Sequence, residues 1–359
     1  MKAAVLTGPR KLEVKTIEKP EPWAGEVLVE VSACGVCGSD LRYYVGENPW
    51  SHHTMGYDKP NPANMVLGHE VTGKVVELSP EADPALEGQL IAMLPFKGCG
   101  RCYDCRTGKE HLCAYTRHTG HSAGWDEGGE YNPGGMADFC RIWQEFAYEL
   151  PEEITAEQGV FLDGLGVAVH AVKHAKVRQG DYVVVLGAGP IGLLIAQVAI
   201  AGGARAVACA DVYDKALEIA EEVGIDYRLD AREDDVVAHT MARTEGKGAD
   251  VVFETTATVE GPRQAVEMTR RGGTVGLVAG LFGPLELRPD NFFAEKTITS
   301  CANFQYEDFY TGLQLMQCGE VVVEPMITHR FPLSEVDKAF DCALRKHETG
   351  AFKVVILPD

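Results

Sequence analysis

Hydrophobic positions change their period along this chain near residue 150. Before that point, short alternating or β-branched runs such as Val27–Val31 and Val71–Val76 stand between Pro- and Gly-rich loops. Period-two runs punctuated by turn residues predict a β-rich, loop-heavy region. From about 175 to 301 the runs become continuous and apolar, and Val183–Leu186, Ala206–Ala210, Val251–Phe253, Thr274–Val278 and Thr297–Cys301 read as buried strands. Helical periodicity fills 190–202, 214–223, 232–244 and 259–270. Buried strands alternating with helices predict an α/β fold with a parallel, doubly wound sheet. A further helix is expected over 306–318, then strand-like ends at 327–331 and 352–357, and the tail is expected to rejoin the first region. The resulting plan is a β-rich domain of residues 1–150 with 305–359, and a doubly wound domain of 151–304. No internal repeat or low-complexity segment interrupts it.

Length and composition agree with this plan. A chain of 359 residues suggests about two domains. Its 45% hydrophobic and 24% charged residues exclude a disordered chain, a collagen and a disulfide miniprotein. With 33 Lys and Arg against 53 Asp and Glu, the net charge is −20. Such a surface repels phosphate backbones and anionic lipid, so neither nucleic acid nor membrane is an expected partner. Acidity of this kind serves a salty habitat and ordinary solubility alike. The opening MKAAVLTGPRKLEVK has no apolar signal-peptide core, and a cytoplasmic protein is expected. Tyr182–Ala204 is uncharged over 23 residues, long enough to cross a bilayer. Gly187, Gly189, Pro190, Gly192, Gly202 and Gly203 punctuate it, so it reads as a strand, a glycine turn and a buried helix.

That turn, Gly187-Ala188-Gly189-Pro190-Ile191-Gly192, follows a strand and opens a helix. Gly187 permits the tight turn, Gly189 lets a pyrophosphate approach the backbone, and Gly192 lets helix and strand pack closely. Pro190 suits the first helical turn, where its missing N–H is harmless, and the helix start offers free N–H groups to phosphate. The next strand ends in Asp211, nineteen residues beyond Gly192. A carboxylate there accepts hydrogen bonds from ribose hydroxyls and repels a 2′-phosphate. Val212 and Tyr213 follow, with no arginine in position for such a phosphate, so NAD is expected over NADP.

Four of the eleven cysteines, Cys99, Cys102, Cys105 and Cys113, have the spacing C-x2-C-x2-C-x7-C. Without a secretion signal, clustered cysteines point to metal rather than disulfides. Four thiolates fill a tetrahedral shell and leave no open position, which describes structural zinc. The first three also match the start of an iron–sulfur run, but Cys113 comes late and Ala114, not proline, follows it. The other cysteines stand mostly in apolar runs and read as small core residues.

Gly35-Val36-Cys37-Gly38-Ser39-Asp40 and Gly68-His69-Glu70 are the remaining conspicuous pieces. Singly, Cys37 reads equally as a core cysteine and His69 as a satisfied buried histidine. Together, a thiolate, an imidazole and a carboxylate suit a catalytic zinc with an open position. With GVCGSD (35–40), GHE (68–70), CGRCYDCRTGKEHLC (99–113), the GAGPIG turn and THRFPL (328–333) in order, the chain resembles the zinc-dependent medium-chain alcohol/polyol dehydrogenases, especially the sorbitol and threonine dehydrogenase-like branches. The resemblance implies a GroES-like β-rich catalytic domain, a Rossmann domain and an active cleft between them. It also implies two zincs per chain, NAD, and a homodimer or homotetramer. Cys37 and His69 would hold the catalytic zinc, with Glu70 a ligand or exchangeable near-ligand. Asp163 stands where polyol-type members carry a glutamate, and its shorter side chain is expected to reach the metal through water. Cys99, Cys102, Cys105 and Cys113 would hold the structural zinc.

The implied reaction is reversible oxidation of a secondary alcohol, a polyol or sugar, to a ketone or lactone, zinc acting as Lewis acid and hydride passing to the nicotinamide. An amino-alcohol or primary-alcohol oxidiser is the alternative, and a non-enzymatic protein on the same scaffold would require a lost ligand or spoiled turn. Ser39 matches the hydroxyl that carries the alcohol proton away. The relay's usual histidine is replaced by Arg42, which stays charged and accepts no proton. Glu70, His52, His53 or water would then complete the path, leaving Arg42 for cofactor phosphate or an anionic substrate. Two long loops, Gly46–Met65 with Trp50, His52, His53 and Tyr57, and Tyr115–Gly135 with Gly124–Gly129, border the cleft or serve as surface and subunit contact. Tyr43 stands where polyol-type relatives touch substrate.

Overall fold

The computed structural model describes residues 1–52, 56, 58–122, 130–131, 133–280, 287–292 and 294–359. His53, Tyr57 and Gly124–Gly129, named above as loop candidates, lie outside the described residues. The chain packs as two units, Met1–Asp163 with Ile327–Asp359, and Gly164–Met326.

Among the described residues, the first unit is built on a seven-stranded, mostly antiparallel sheet. Its central strand, Glu26–Gly35, carries apolar residues on both faces and pairs with Glu70–Leu78, Phe139–Trp143 and Lys353–Leu357. Val27, Val29, Val71, Ile91, Ile142 and Phe340 are among the side chains that fill its core. The Ile327–Pro332 and Lys353–Leu357 strands join this sheet side by side, so the chain's last segment does return to the first unit. The expected helix at its start does not. Tyr306–Gln317 belongs to the second unit, which therefore runs on to Met326 rather than ending at 304. The first unit likewise extends past 150 to Asp163, because the short helix Ala156–Gly159 packs on the central strands.

The second unit holds a six-stranded, wholly parallel sheet among the described residues, with Tyr182–Leu186 at its middle. From one edge to the other run Tyr227–Asp230, Ala206–Asp211, Tyr182–Leu186, Ala249–Glu254, Thr269–Leu277 and Thr297–Ser300. This order reverses beside the Tyr182–Leu186 strand, the doubly wound arrangement that places a dinucleotide site at the reversal. Tyr227–Asp230 is a strand that hydrophobic patterning does not announce. It is an edge strand in which Leu229 alone is fully buried. The 232–244 helix begins late, at Val236, because Asp235 caps it by accepting from the Ala238 N–H. No helix among the described residues is long and apolar enough to cross a membrane.

Within the second unit a polar pair sits in the packing between two helices. His170 Nδ1, on Leu162–His174, lies 2.8 Å from Asp308 Oδ2, on Tyr306–Gln317. Asp308 is 1% exposed, accepts from the Gln305 N–H and lies 3.4 Å from the Lys173 ammonium. Burial alone would raise its pKa, but His170, the Gln305 amide and Lys173 outweigh it and hold the carboxyl below its ordinary value. A depressed carboxylate stabilises the fold above its unfolded pKa and loses that contribution as pH falls through the folded value. Asp308→Ala should therefore cost about 3 kcal/mol at neutral pH, because the buried groups around it lose their acceptor. Urea melts between pH 7 and pH 3 check this. The difference between the two proteins should shrink as pH falls below about 4, and a pH-independent difference would refute the ionised Asp308 carboxylate.

Candidate metal and nucleotide sites

Cys37 leaves the central strand and caps the helix Gly38–Tyr44. Its N–H donates to Asp40 Oδ2 at 2.9 Å, closing a capping box. Asp40 is fully buried, and its other oxygen accepts from the Gly68 N–H and lies 3.6 Å from His69 Nδ1. One carboxylate thus ties the thiol's loop to the imidazole's loop. Glu70 opens the neighbouring strand, opposite Gly35 in register. Ligand atoms of Cys37, His69 and Glu70 all lie within 4.8 Å of one another. Asp163, in the first turn of Leu162–His174, brings Oδ2 to 3.8 Å from His69 Nε2.

Two of the donors are deeply buried, His69 at 3% and Glu70 at 4% exposure, and Cys37 is half-buried. Burial opposes charging His69, yet Asp40 and Cys37 outweigh it and its pKa is raised well above the ordinary value. Burial pushes Asp163 up to about 6, with Glu70 and Asp40 adding to the rise. A crowded, desolvated set of acid, thiol and imidazole groups is the environment that a divalent cation relieves. Soft sulfur, imidazole nitrogen and carboxylate oxygen are also the donors zinc takes in an open site. The residues present therefore fit a zinc ion.

Lys353 is the cation that the sequence reading missed. Its ammonium is buried and ion-paired with the Glu70 carboxylate. The two residues stand on strands flanking the central one, and Gly35 lies between them. A Cβ at Gly35 would run into Glu70 Oε2 and the Lys353 side chain, so the bare glycine is what lets them meet. Nothing local could announce this pair, because its partners are 283 residues apart.

His118 and His121 also escaped the sequence reading. The Arg117–His118 strand pairs with Phe96–Lys97 and carries the following turn against His69. Ring centroids of His69 lie 5.5 Å from His118 and 4.6 Å from His121. Burial, reinforced by His69, lowers His118 to about 3, and burial with both neighbouring imidazoles lowers His121 well below its ordinary value. Ser39 Oγ lies 3.2 Å from His121 Nε2. Arg42 points elsewhere, with Nε 2.6 Å from Glu47. His52 Nδ1 is 3.2 Å from Asp58. Tyr43 is fully buried with its hydroxyl 3.2 Å from Ser122 Oγ, so it lines the core rather than a substrate surface.

The sulfurs of Cys99, Cys102, Cys105 and Cys113 form a second cluster within 4.8 Å. Cys99 and Cys105 sulfurs are 4.0 Å apart, and Cys102 and Cys113 sulfurs 3.8 Å. Zinc–sulfur bonds of about 2.3 Å at tetrahedral angles place sulfurs ~3.8 Å apart. N–H groups of Cys99, Cys102 and Cys105 donate to Cys113, Cys99 and Cys102 sulfurs respectively. The Arg101 backbone amide leads in lowering the Cys99 thiol to about 6, whereas burial raises the Cys105 and Cys113 thiols. Backbone donors stabilise thiolate, the form that binds metal. None of the eleven cysteines is in a disulfide.

In the second unit, Gly187 leaves its strand at φ +96°, a conformation that side chains disfavour. A Cβ at Gly192 would collide with the Gly187 carbonyl, so the turn and the helix Pro190–Ala201 close on one another only as glycines. Gly189 caps that helix, and a Cβ there would meet nothing within 4 Å, which leaves open space at Gly189 beside Pro190 and Ile191 in the chain. Asp211 Oδ2 accepts from the Ala188 N–H at 2.7 Å, and Oδ1 accepts from Val212 and Tyr213. The carboxylate is thus fixed beside the glycine turn. Arg232, two residues past the partner of Asp211 on the edge strand, was not anticipated. Its guanidinium is paired with Asp230 and Asp214.

Known proteins resemble this chain over nearly its whole length. Residues 23–152 match the alcohol dehydrogenase GroES-like domain, and residues 190–317 match the zinc-binding dehydrogenase family. Sorbitol dehydrogenase of Bacillus subtilis is 28% identical over 362 residues, covering 100% of this chain and 98% of that protein. L-threonine 3-dehydrogenase of Pyrococcus abyssi is 31% identical over 349 residues, covering 96% and 94%. A zinc-binding dehydrogenase from Sinorhizobium meliloti 1021, solved with NADP, superposes with a TM-score of 0.86 at 29% identity, covering 99% of each chain.

Proposed function

The chain belongs to the zinc-dependent medium-chain alcohol/polyol dehydrogenase family, and from that premise we propose that it reversibly oxidises a secondary alcohol, a polyol or sugar, to a ketone or lactone with hydride transfer to NAD. The observation that carries the reading is the convergence of Cys37, His69 and Glu70 donor atoms within 4.8 Å, a donor set suited to zinc. Bound there, zinc supplies Lewis acidity that makes an alcohol hydroxyl a stronger acid. Cys37 and His69 would hold the ion, and Asp40, 3.6 Å from Nδ1, would orient the imidazole from behind. Glu70, drawn toward Lys353, stands as the exchangeable acid, and Asp163 as a further carboxylate on the far side of His69. Ser39 receives the hydrogen bond of the substrate hydroxyl. A panel of polyols, sugars, amino alcohols and simple alcohols, read as NADH absorbance, tests the reading. Turnover confined to amino alcohols or primary alcohols would move the substrate class, and no turnover with any would refute it.

Asp211 supports NAD over NADP, because its carboxylate suits ribose hydroxyls and repels a 2′-phosphate. Asp211→Asn keeps the side chain's size and removes the charge. It should lower kcat/KM for NAD by roughly 10-fold, about the worth of one charge-assisted hydrogen bond. Val212→Arg added to it should raise use of NADP. Unaltered preference in both variants would refute the ribose contact.

A further inference from the structure

His121 is held on three sides. Its ring stacks on His118 at 4.1 Å and 15°, meets Tyr43 edge-on at 5.1 Å and 72°, and meets His69 edge-on at 4.6 Å and 81°. The next residue in the chain is anchored as well. Ser122 donates from its N–H to the Tyr43 hydroxyl and from Oγ to Asn48 Oδ1 at 2.8 Å. Tyr43 lies in the same short helix as Ser39, so the turn carrying His121 is tied to the helix carrying the serine. Within that frame His121 Nε2 faces Ser39 Oγ at 3.2 Å.

A serine hydroxyl has one hydrogen to donate and two lone pairs, and a neutral imidazole has one acceptor nitrogen. When the hydroxyl gives its hydrogen to imidazole, it can only accept from anything else it meets. We propose that His121 is a positioning residue whose Nε2 takes the Ser39 hydroxyl hydrogen and so fixes Ser39 as a hydrogen-bond acceptor toward the substrate hydroxyl. Arg42, five residues past Cys37, cannot take this role, because a guanidinium carries donors alone. No proton leaves the imidazole in this arrangement. The inference rests on the alcohol-oxidising reading above.

The test uses the full-length, zinc- and NAD-loaded protein, with one readout that does not depend on turnover. Histidine-selective 15N labelling should show His121 Nε2 unprotonated and hydrogen-bonded, and Ser39→Ala should shift that nitrogen while sparing Nδ1. His121→Ala should lower kcat roughly 30-fold, below the 10²–10⁴-fold span of a full acid–base group. KM for NAD and zinc content should not move. His121→Gln, which restores an acceptor, should recover part of the loss. Ser39→Ala/His121→Ala should be no slower than Ser39→Ala alone, because the histidine acts through the serine. A protonated Nε2, additive losses in the double variant, or wild-type turnover in His121→Ala would each overturn the inference while leaving the dehydrogenase reading intact. A wild-type chain that turns over no alcohol in the panel would remove both.

Discussion

Cys37→Ala should lose at least about a thousandfold in kcat, and its zinc content should fall from two per chain to one. Lewis-acid stabilisation is worth several kcal/mol, and about 4 kcal/mol corresponds to ~1,000-fold. The thiol caps a short helix by accepting from the N3 backbone, so truncation removes a ligand and a modest cap together. Asp40 keeps its own bonds to the Cys37 and Gly68 backbones, and the loop geometry should survive. NAD titration by fluorescence and far-ultraviolet circular dichroism should therefore match wild type. Two zincs per chain with turnover intact would show that the ion is not held here. Loss of NAD binding as well would mean that the variant had misfolded, and Cys37→Ser, which keeps the cap's acceptor, would then carry the test.

Cys102→Ser should act on stability instead. Its sulfur accepts the Cys105 N–H and lies 3.8 Å from Cys113, at the heart of the four-sulfur cluster. Structural zinc sites in small peptides bind with apparent free energies of roughly 10–16 kcal/mol, which become folding free energy. Even a third of that, about 4 kcal/mol, should lower the melting midpoint by roughly 10 °C in a domain of this size. The lobe is short in regular structure, with a four-residue helix at Tyr103–Arg106 and a 3-10 turn at Glu110–Leu112. Little besides the metal would hold it. Limited proteolysis should therefore cut between 98 and 116 in the variant and not in the wild type. An unchanged midpoint with two zincs retained would refute the S4 site, and iron with a visible charge-transfer band would replace zinc by a cluster.

Much of this architecture is legible in one dimension, for local reasons. A glycine turn between a buried strand and a helix has few other uses, and its demand for φ +96° at Gly187 and for a missing side chain at Gly192 is met residue by residue. The parallel sheet declares itself because strands covered on both faces must be continuously apolar. The exceptions lie at the two edges: Tyr227–Asp230, where burial is partial and the pattern fades, and Thr297–Ser300, which reads as a buried strand and is largely exposed. The four cysteines are equally plain, since their spacing lies within one loop and the tetrahedral shell needs nothing from afar.

The surroundings of the candidate metal site were less readable. Arg42 marks where a relay histidine is missing, but the imidazole that faces Ser39 comes from 82 residues further along. Tyr43 resembled a substrate contact and is instead sealed against Ser122, because the same distant turn folds over it.

Sequence by itself determined the two kinds of layer, the glycine cradle, the sulfur cluster and the donor types at 37, 69 and 70. These follow from backbone conformation and ligand chemistry, which act over a few residues. Tertiary structure alone decided which groups surround those donors: Lys353 meeting Glu70 across the bare Gly35, Asp40 behind His69, and His121 locked against Ser39. Strand register and loop closure make such neighbours, and they join residues whose separation along the chain carries no local signal.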